Sequence, residues 1–254
     1  MSITETLLRP LLRTGSARPL ITHYDDAAGT RVELSVATLA NWAAKTANWL
    51  TDEFDVEPGT PVAVRLPAHW QTAGILLGCW WCGGQVIDDP AEAAVTFTAP
   101  AEAGGPAREA RVPAREAGGS AGGGELAIVS LDPMGMSLRE PPAGGAWDYV
   151  SEARLCADDY LAPPGISDDT PALLGSGVRE VLTLARRRAE ELGITDGSRV
   201  LSTLDWSLPD GVVDGFLAIL AAGGSLVQCG SVAVDKLPDR RATERTTVEL
   251  GVPS

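Results

Sequence analysis

Two stretches of this chain repeat one order of helix, glycine turn, strand, second helix and second strand, and that order constrains the fold more than any other feature. The later stretch runs from Val178 to Gly230 and the earlier from Leu39 to Ile87. Gly59 answers to Gly197 and Gly83-Gly84 to Gly223-Gly224, with a two-residue step between the anchors. Helical and strand periodicities alternate through both copies. The pattern points to an α/β fold of duplicated units, forming mostly parallel sheets with helices on both faces. A chain of 254 residues can bury a full core, and the repeat favours one domain of two halves over two separate domains.

The rest of the chain fits around these units. Ile3 to Arg13 carries a helical apolar stripe in which Pro10 should kink or end the helix. Pro19 to Tyr24 and Thr30 to Leu34 flank turn-forming residues and read as a hairpin. Ser35 can cap a helix whose inner face is Leu39, Trp42, Ala43, Trp49 and Leu50. Pro61 to Leu66 reads as a strand and His69 to Cys82 as a helix stopped by Gly83-Gly84. The first unit thus spans about residues 1–98. A Gly-, Ala- and Pro-rich insert follows over about 99–124, with one short helix expected near Ala107 to Ala117. Trp147 to Leu161 looks helical, and Ala172 to Leu174 is a short strand. The second unit occupies about 166–234, and 235–254 is a polar tail with a weak strand over Thr247 to Leu250.

Composition excludes several classes of partner. A net charge of −14 is the wrong sign for a nucleic-acid backbone. No apolar run reaches the roughly 18 residues that span a bilayer, and Met1 to Leu12 lacks the apolar region of a signal peptide. A soluble cytoplasmic protein with reduced thiols is the expectation. Its four cysteines are too few and scattered for a disulfide framework.

Few motifs carry chemistry. Cys79 and Cys82 have redox spacing, but they fall at the C-terminal end of a helix, where the dipole disfavours a thiolate. Their counterparts in the later copy, Ile219 and Ala222, are packing residues, so core packing is the expected role. Gly175, Ser176 and Gly177 stand between a strand and a helix, where backbone N–H groups can hold an anion. They lack the lysine of a phosphate-binding loop, so a plain tight strand-to-helix turn is the favoured reading and a weak anion-binding turn the alternative. No Gly-x-Ser-x-Gly elbow surrounds Ser176, and His23 and His69 read as incidental. The paired acids Asp88-Asp89, Asp158-Asp159 and Asp168-Asp169 suit turns and caps, and no metal site is expected. No catalytic residue stands out.

The turns themselves resemble those of a known family, the adenylate-forming (AMP-binding) enzymes that include acyl-CoA synthetases, adenylation domains and luciferases. Val56-Glu57-Pro58-Gly59-Thr60-Pro61-Val62-Ala63-Val64 and Cys82-Gly83-Gly84 are similar to the family's first turn and helix end. Gly197-Ser198-Arg199-Val200-Leu201, Ala221-Ala222-Gly223-Gly224-Ser225 and Thr247 to Ser254 match its second unit and a following "vT-x-x-x-x-V-P-t" segment. The resemblance implies a truncated N-terminal domain of that family spanning residues 1–254, with departures that fall on chemistry. The family's lysine-containing phosphate loop has only Gly175-Ser176-Gly177-Val178-Arg179 in its place, and Leu208 stands where many members carry a His or aromatic residue. The resemblance therefore implies a degenerate domain that acts as a non-catalytic binding or interaction protein, with no cofactor predicted and ATP, AMP or acyl-CoA as the ligands left open. It also implies a protein partner or homo-oligomer through the surface that the other half covers in full-length members. The alternative is a subunit of a split adenylating ligase, or an enzyme binding an acyl or nucleotide ligand.

Overall fold

A computed structural model describes residues 1–100 and 124–252. The short helix expected near Ala107 to Ala117 lies outside the described residues. The elements form two sheets. The five-stranded sheet has the order β12-β10-β11-β1-β2, and the seven-stranded sheet the order β7-β6-β5-β3-β4-β8-β9. In chain order these strands are β1 (Pro19–Asp25), β2 (Thr30–Ser35), β3 (Pro61–Arg65), β4 (Gln85–Ile87), β5 (Val95–Thr98), β6 (Glu125–Ile128), β7 (Trp147–Asp148), β8 (Pro171–Leu173), β9 (Ser176–Gly177), β10 (Arg199–Ser202), β11 (Ser225–Gly230) and β12 (Val248–Leu250). Pairing is parallel except in the hairpins β1–β2 and β8–β9.

The main helices are α1 (Ile3–Gly15), α2 (Val36–Phe54), α3 (Trp70–Cys82), α4 (Tyr149–Ala153) and α5 (Val178–Glu191). A sixth, α6, runs through Asp210–Val212, a π turn Val213–Leu217, and Ala218–Ala221, and α7 is Leu237–Glu244. Helix α3 touches β1 of one sheet and β3 and β4 of the other, and also α1 and α2. It is apolar all round because it lies between the two sheets, and only Trp81 on it is not fully buried. Gly78 lets α2 come that close, since a Cβ there would sit 2.4 Å from the Thr46 Cβ.

The two units make the same hydrogen bonds. Gly59 N–H donates to the Gly83 carbonyl at 2.9 Å and Gly197 N–H to the Gly223 carbonyl at 3.4 Å. Gly84 and Gly224 donate to Cys79 and Ile219, and Gln85 and Ser225 to Thr60 and Ser198. All four anchor glycines have positive φ, which an L side chain rarely adopts. The matched strand pairs nevertheless lie in different sheets, β3–β4 in the larger and β10–β11 in the smaller.

Three local expectations are corrected. Helix α1 runs unbroken through Pro10, which is exposed, so water can take the carbonyl that the missing N–H leaves free; Ser2 and Glu5 start the helix as a capping box. Only Tyr149–Ala153 of the stretch Trp147 to Leu161 is helical. Beyond it the chain is laid along α2, where Lys45 donates to the Arg154 and Cys156 carbonyls and Asn48 to those of Ala157 and Asp159. Residues 235–250, expected as a polar tail, are folded, and the strand expected over Thr247 to Leu250 is present as β12. Leu237 covers Leu201, Val227 and Cys229 on the outer face of the five-stranded sheet, and β12 adds an edge strand beside β10. Asp26 accepts hydrogen bonds from Arg240, Lys236 and the Ala233 N–H. Glu244 accepts from Tyr24 at 2.7 Å and Arg199 at 2.5 Å and pairs with Arg31.

Candidate functional site

The Gly175-Ser176-Gly177 turn is a β-hairpin rather than a direct strand-to-helix turn. Leu174 and Gly175 both have positive φ, +45° and +86°, so the chain reverses between β8 and β9 before α5 begins. Gly177 is the N-cap of α5, and a Cβ there would meet the Asp168 carbonyl at 3.0 Å. Three N–H groups at the start of the helix already have acceptors. Gly177 donates to the Glu180 carboxylate at 3.2 Å, Val178 to the Thr170 carbonyl at 3.1 Å and Arg179 to the Asp168 carbonyl at 2.9 Å. The Arg179 guanidinium is turned back onto Asp168 and Asp169, at 3.0 and 3.4 Å. Both ion pairs are exposed to water, so they hold the side chain in place more than they stabilise the fold. Three carboxylates therefore surround the turn. On the neighbouring face of α5, Arg179, Glu180, Thr183, Leu184 and Arg187 line a depression of about 280 Å³.

The second corner of interest lies at the carboxyl end of the five-stranded sheet, the edge at which open α/β sheets place ligands. His23 on β1 and His69 at the N-cap of α3 are both buried, and their rings meet edge to face at 4.5 Å between centroids. His69 Nδ1 accepts the Gln71 N–H at 3.2 Å, which caps the helix and leaves the ring neutral. Burial drives the His69 pKa down to about 3, with the neighbouring His23 acting in the same direction. Burial lowers His23 as well, against the opposing pull of Asp25 and the Ala68 carbonyl. Gln228 on β11 lies beside His23, and Trp206, in the loop after β10, stacks on Phe216 at 4.8 Å. No local pattern marks this corner in the sequence, because His23, His69, Trp206 and Gln228 come from four separate segments. Leu208 is half-buried and packs against the core.

Cys79 and Cys82 lie in the last turn of α3, both buried, with Cys82 Sγ donating to the Cys79 carbonyl at 3.2 Å. Desolvation pushes the Cys82 thiol up to about 12 and Cys79 well above its ordinary value. Neither is a nucleophile near neutral pH. Among the described residues, no group of three or more His, Cys, Asp or Glu is placed to hold a metal ion, and no helix is long and apolar enough to cross a membrane.

This architecture is shared with adenylate-forming enzymes. An acyl-CoA synthetase from Brucella canis superposes with a TM-score of 0.76 at 15% identity, over 98% of this chain and 47% of that one. Apo MatB from Rhodopseudomonas palustris gives 0.73 at 18% identity, over 98% and 49%, and a Mycobacterium tuberculosis fatty acyl-CoA synthetase gives 0.68 at 13%, over 98% and 48%. The likeness is one of fold, to the N-terminal part of those enzymes, and the chain spans about half their length. No protein-family profile matches the sequence. A protein of Mycobacterium tuberculosis (strain ATCC 25618 / H37Rv), described as a TIGR03089 family protein, is 43% identical over 251 residues, which are 97% of each chain. With that identity along nearly its whole length, the chain belongs to the TIGR03089 family.

Proposed function

We propose that this protein is a non-catalytic, cytoplasmic binding or interaction protein, built on a degenerate AMP-binding domain in which two copies of one α/β unit form the framework. The observation that carries the reading is the state of the turn before α5. Phosphoryl and adenylyl transfer need preorganised donors aimed at developing negative charge. Here the N–H groups of Gly177, Val178 and Arg179 are engaged by acceptors of the chain itself, and Arg179 is held by Asp168 and Asp169. An incoming phosphate would have to displace carboxylates and carbonyls, gaining at most about 0.3–1 kcal/mol from an exposed helix N-terminus.

The test is carboxylate-dependent exchange of labelled pyrophosphate into ATP by the purified chain, with a thermal-shift screen against ATP, AMP and acyl-CoAs alongside. Exchange is expected at background and no nucleotide should raise the melting temperature. Exchange that is lost on changing Ser176 or Arg179 would overturn the reading and show the turn to be a working anion site. A protein partner or a second copy of the chain is the binding target this reading favours, and light scattering on the purified chain decides between monomer and oligomer.

A further inference from the structure

The inner face of the five-stranded sheet ends in a row of buried polar side chains. His23 and Gln228 are Cα partners on the parallel neighbours β1 and β11, so their side chains stand side by side on this face. They are 4% and 2% exposed. The Gln228 amide donates to the Leu204 carbonyl at 3.0 Å, which fixes the amide's orientation, and its Oε1 has no partner. His23 Nδ1 has none either. The Ala68 carbonyl favours a proton on the other ring nitrogen, which makes Nδ1 a bare acceptor. Trp206 Nε1 is a third unpartnered buried group. It and the Leu204 Cβ both lie against Gly215, so it belongs to the same corner.

Two buried acceptors side by side require a donor, because a polar atom removed from water without a hydrogen bond is strongly disfavoured. The Trp206 N–H, set against Gly215, bonds to neither acceptor, and three other arrangements would supply a donor. Turning the Gln228 amide over would set its N–H toward His23 but abandon the bond to Leu204. Placing a proton on His23 Nδ1 would either give up the contact with Ala68 or create an imidazolium, in a buried site with the His69 ring 4.5 Å away. The third is a small neutral guest with two hydrogens to give, and it keeps every bond already made.

We propose that one water molecule is a fixed part of this corner, donating one hydrogen to His23 Nδ1 and the other to Gln228 Oε1. Buried waters with two to four polar partners are structural components of globular proteins, and this one would tie the end of β1 to the end of β11. The inference does not depend on the functional reading above.

The experiment uses the uniformly ¹⁵N-labelled native chain. Imidazole ¹⁵N shifts report which nitrogen of His23 carries the proton, and water–protein cross-relaxation reports a long-lived water at its ring hydrogens. The expected result is a neutral ring protonated at Nε2, an Nδ1 shift of hydrogen-bonded type, and a water cross-peak with the sign of a rigidly held molecule. In Gln228→Met the cross-peak should disappear while the amide spectrum keeps its native dispersion. A proton on Nδ1, the absence of any long-lived water at His23, or a cross-peak unchanged in Gln228→Met would each overturn the proposal. Should Gln228→Met not fold, the wild-type spectra alone decide.

Discussion

Acid should destabilise this protein well above the range in which carboxylates titrate, and His69 should account for a defined share of the loss. In the unfolded chain an imidazole titrates near its ordinary 6.5, whereas in the folded chain burial holds His69 at about 3. Between these values the unfolded state binds a proton that the native state refuses, so stability is full above the unfolded pKa and falls as pH drops toward the folded one. From pH 7.5 to 5.5, His69 alone should remove about 1.4 kcal/mol. His23, lowered in the same direction, adds to it. Asp26 is held below the usual carboxylate range by its hydrogen bond from Arg240, partly offset by burial, and further by Ala233 and Lys236. Glu244 is pushed up by burial but held low by Tyr24, Arg199 and Arg31. Both lose stability only at lower pH, outside this window. His69→Asn keeps an acceptor for the Gln71 N–H and so keeps the cap, while removing the titration. Urea unfolding of both proteins at the two pH values gives the answer, because any packing loss in the variant is common to both and cancels. The variant should lose about 1.4 kcal/mol less than the wild type between pH 7.5 and 5.5. Equal losses would refute the reasoning.

Leu174→Asn should raise stability by roughly 0.5–1 kcal/mol, since Asn tolerates the positive φ that Leu174 adopts; a lower melting temperature would mean that the Leu side chain matters more than its strain. Gly78→Ala should destabilise by about 1–3 kcal/mol, because its Cβ would overlap Thr46 and force α2 from α3, and an unshifted urea midpoint would contradict that packing. Asp26→Ala should cost about 3–5 kcal/mol by leaving Arg240 buried without its partner. Adding Arg240→Met should recover part of that loss, a double-mutant test that fails if the effects simply add. Cys79 and Cys82 should resist a thiol reagent in the native chain and react on unfolding; fast native labelling of either would show the core to be open there.

The parts of the fold written locally in the sequence are those enforced by backbone geometry. Gly59, Gly83, Gly197 and Gly223 were legible as turns because each occupies a conformation that L side chains rarely adopt. The β1–β2 hairpin and the cap at Ser35 rest on similarly local chemistry. The division into two sheets was not legible. It is decided by β1 pairing with β11, some two hundred residues later, and nothing within either strand encodes that choice. The segment after residue 235 shows the same limit. Its polar composition read as a tail, yet Arg240 and Glu244 fold back onto Asp26, Tyr24 and Arg31, and partners so distant leave no periodicity to detect. Residues 154–160 lack helical structure for a comparable reason, since Lys45 and Asn48 of α2 take their carbonyls.

The two corners of the candidate site differ in what a sequence can say about them. Gly175-Ser176-Gly177 was found at the right place in the topology, between β8 and α5, because glycines at a strand end are a local signal. Its chemistry depends on Glu180, which accepts the Gly177 N–H, and on Asp168 and Asp169, which pair with Arg179 at the surface. Asp168 and Asp169 were read as turn residues, which they are, but the sequence carried no sign that the N–H groups of Gly177, Val178 and Arg179 are taken by Glu180 and by the Thr170 and Asp168 carbonyls. The histidines present the opposite case. Each looked incidental where it stands, and their contact follows only from the packing of α3 across the end of β1. A helix that begins where a neighbouring sheet ends brings its cap residue onto that sheet's last inward-facing side chain. His69 meets His23 by that geometry, and the pair is neutral because no carboxylate accompanies it into the core strongly enough to reverse the effect of burial.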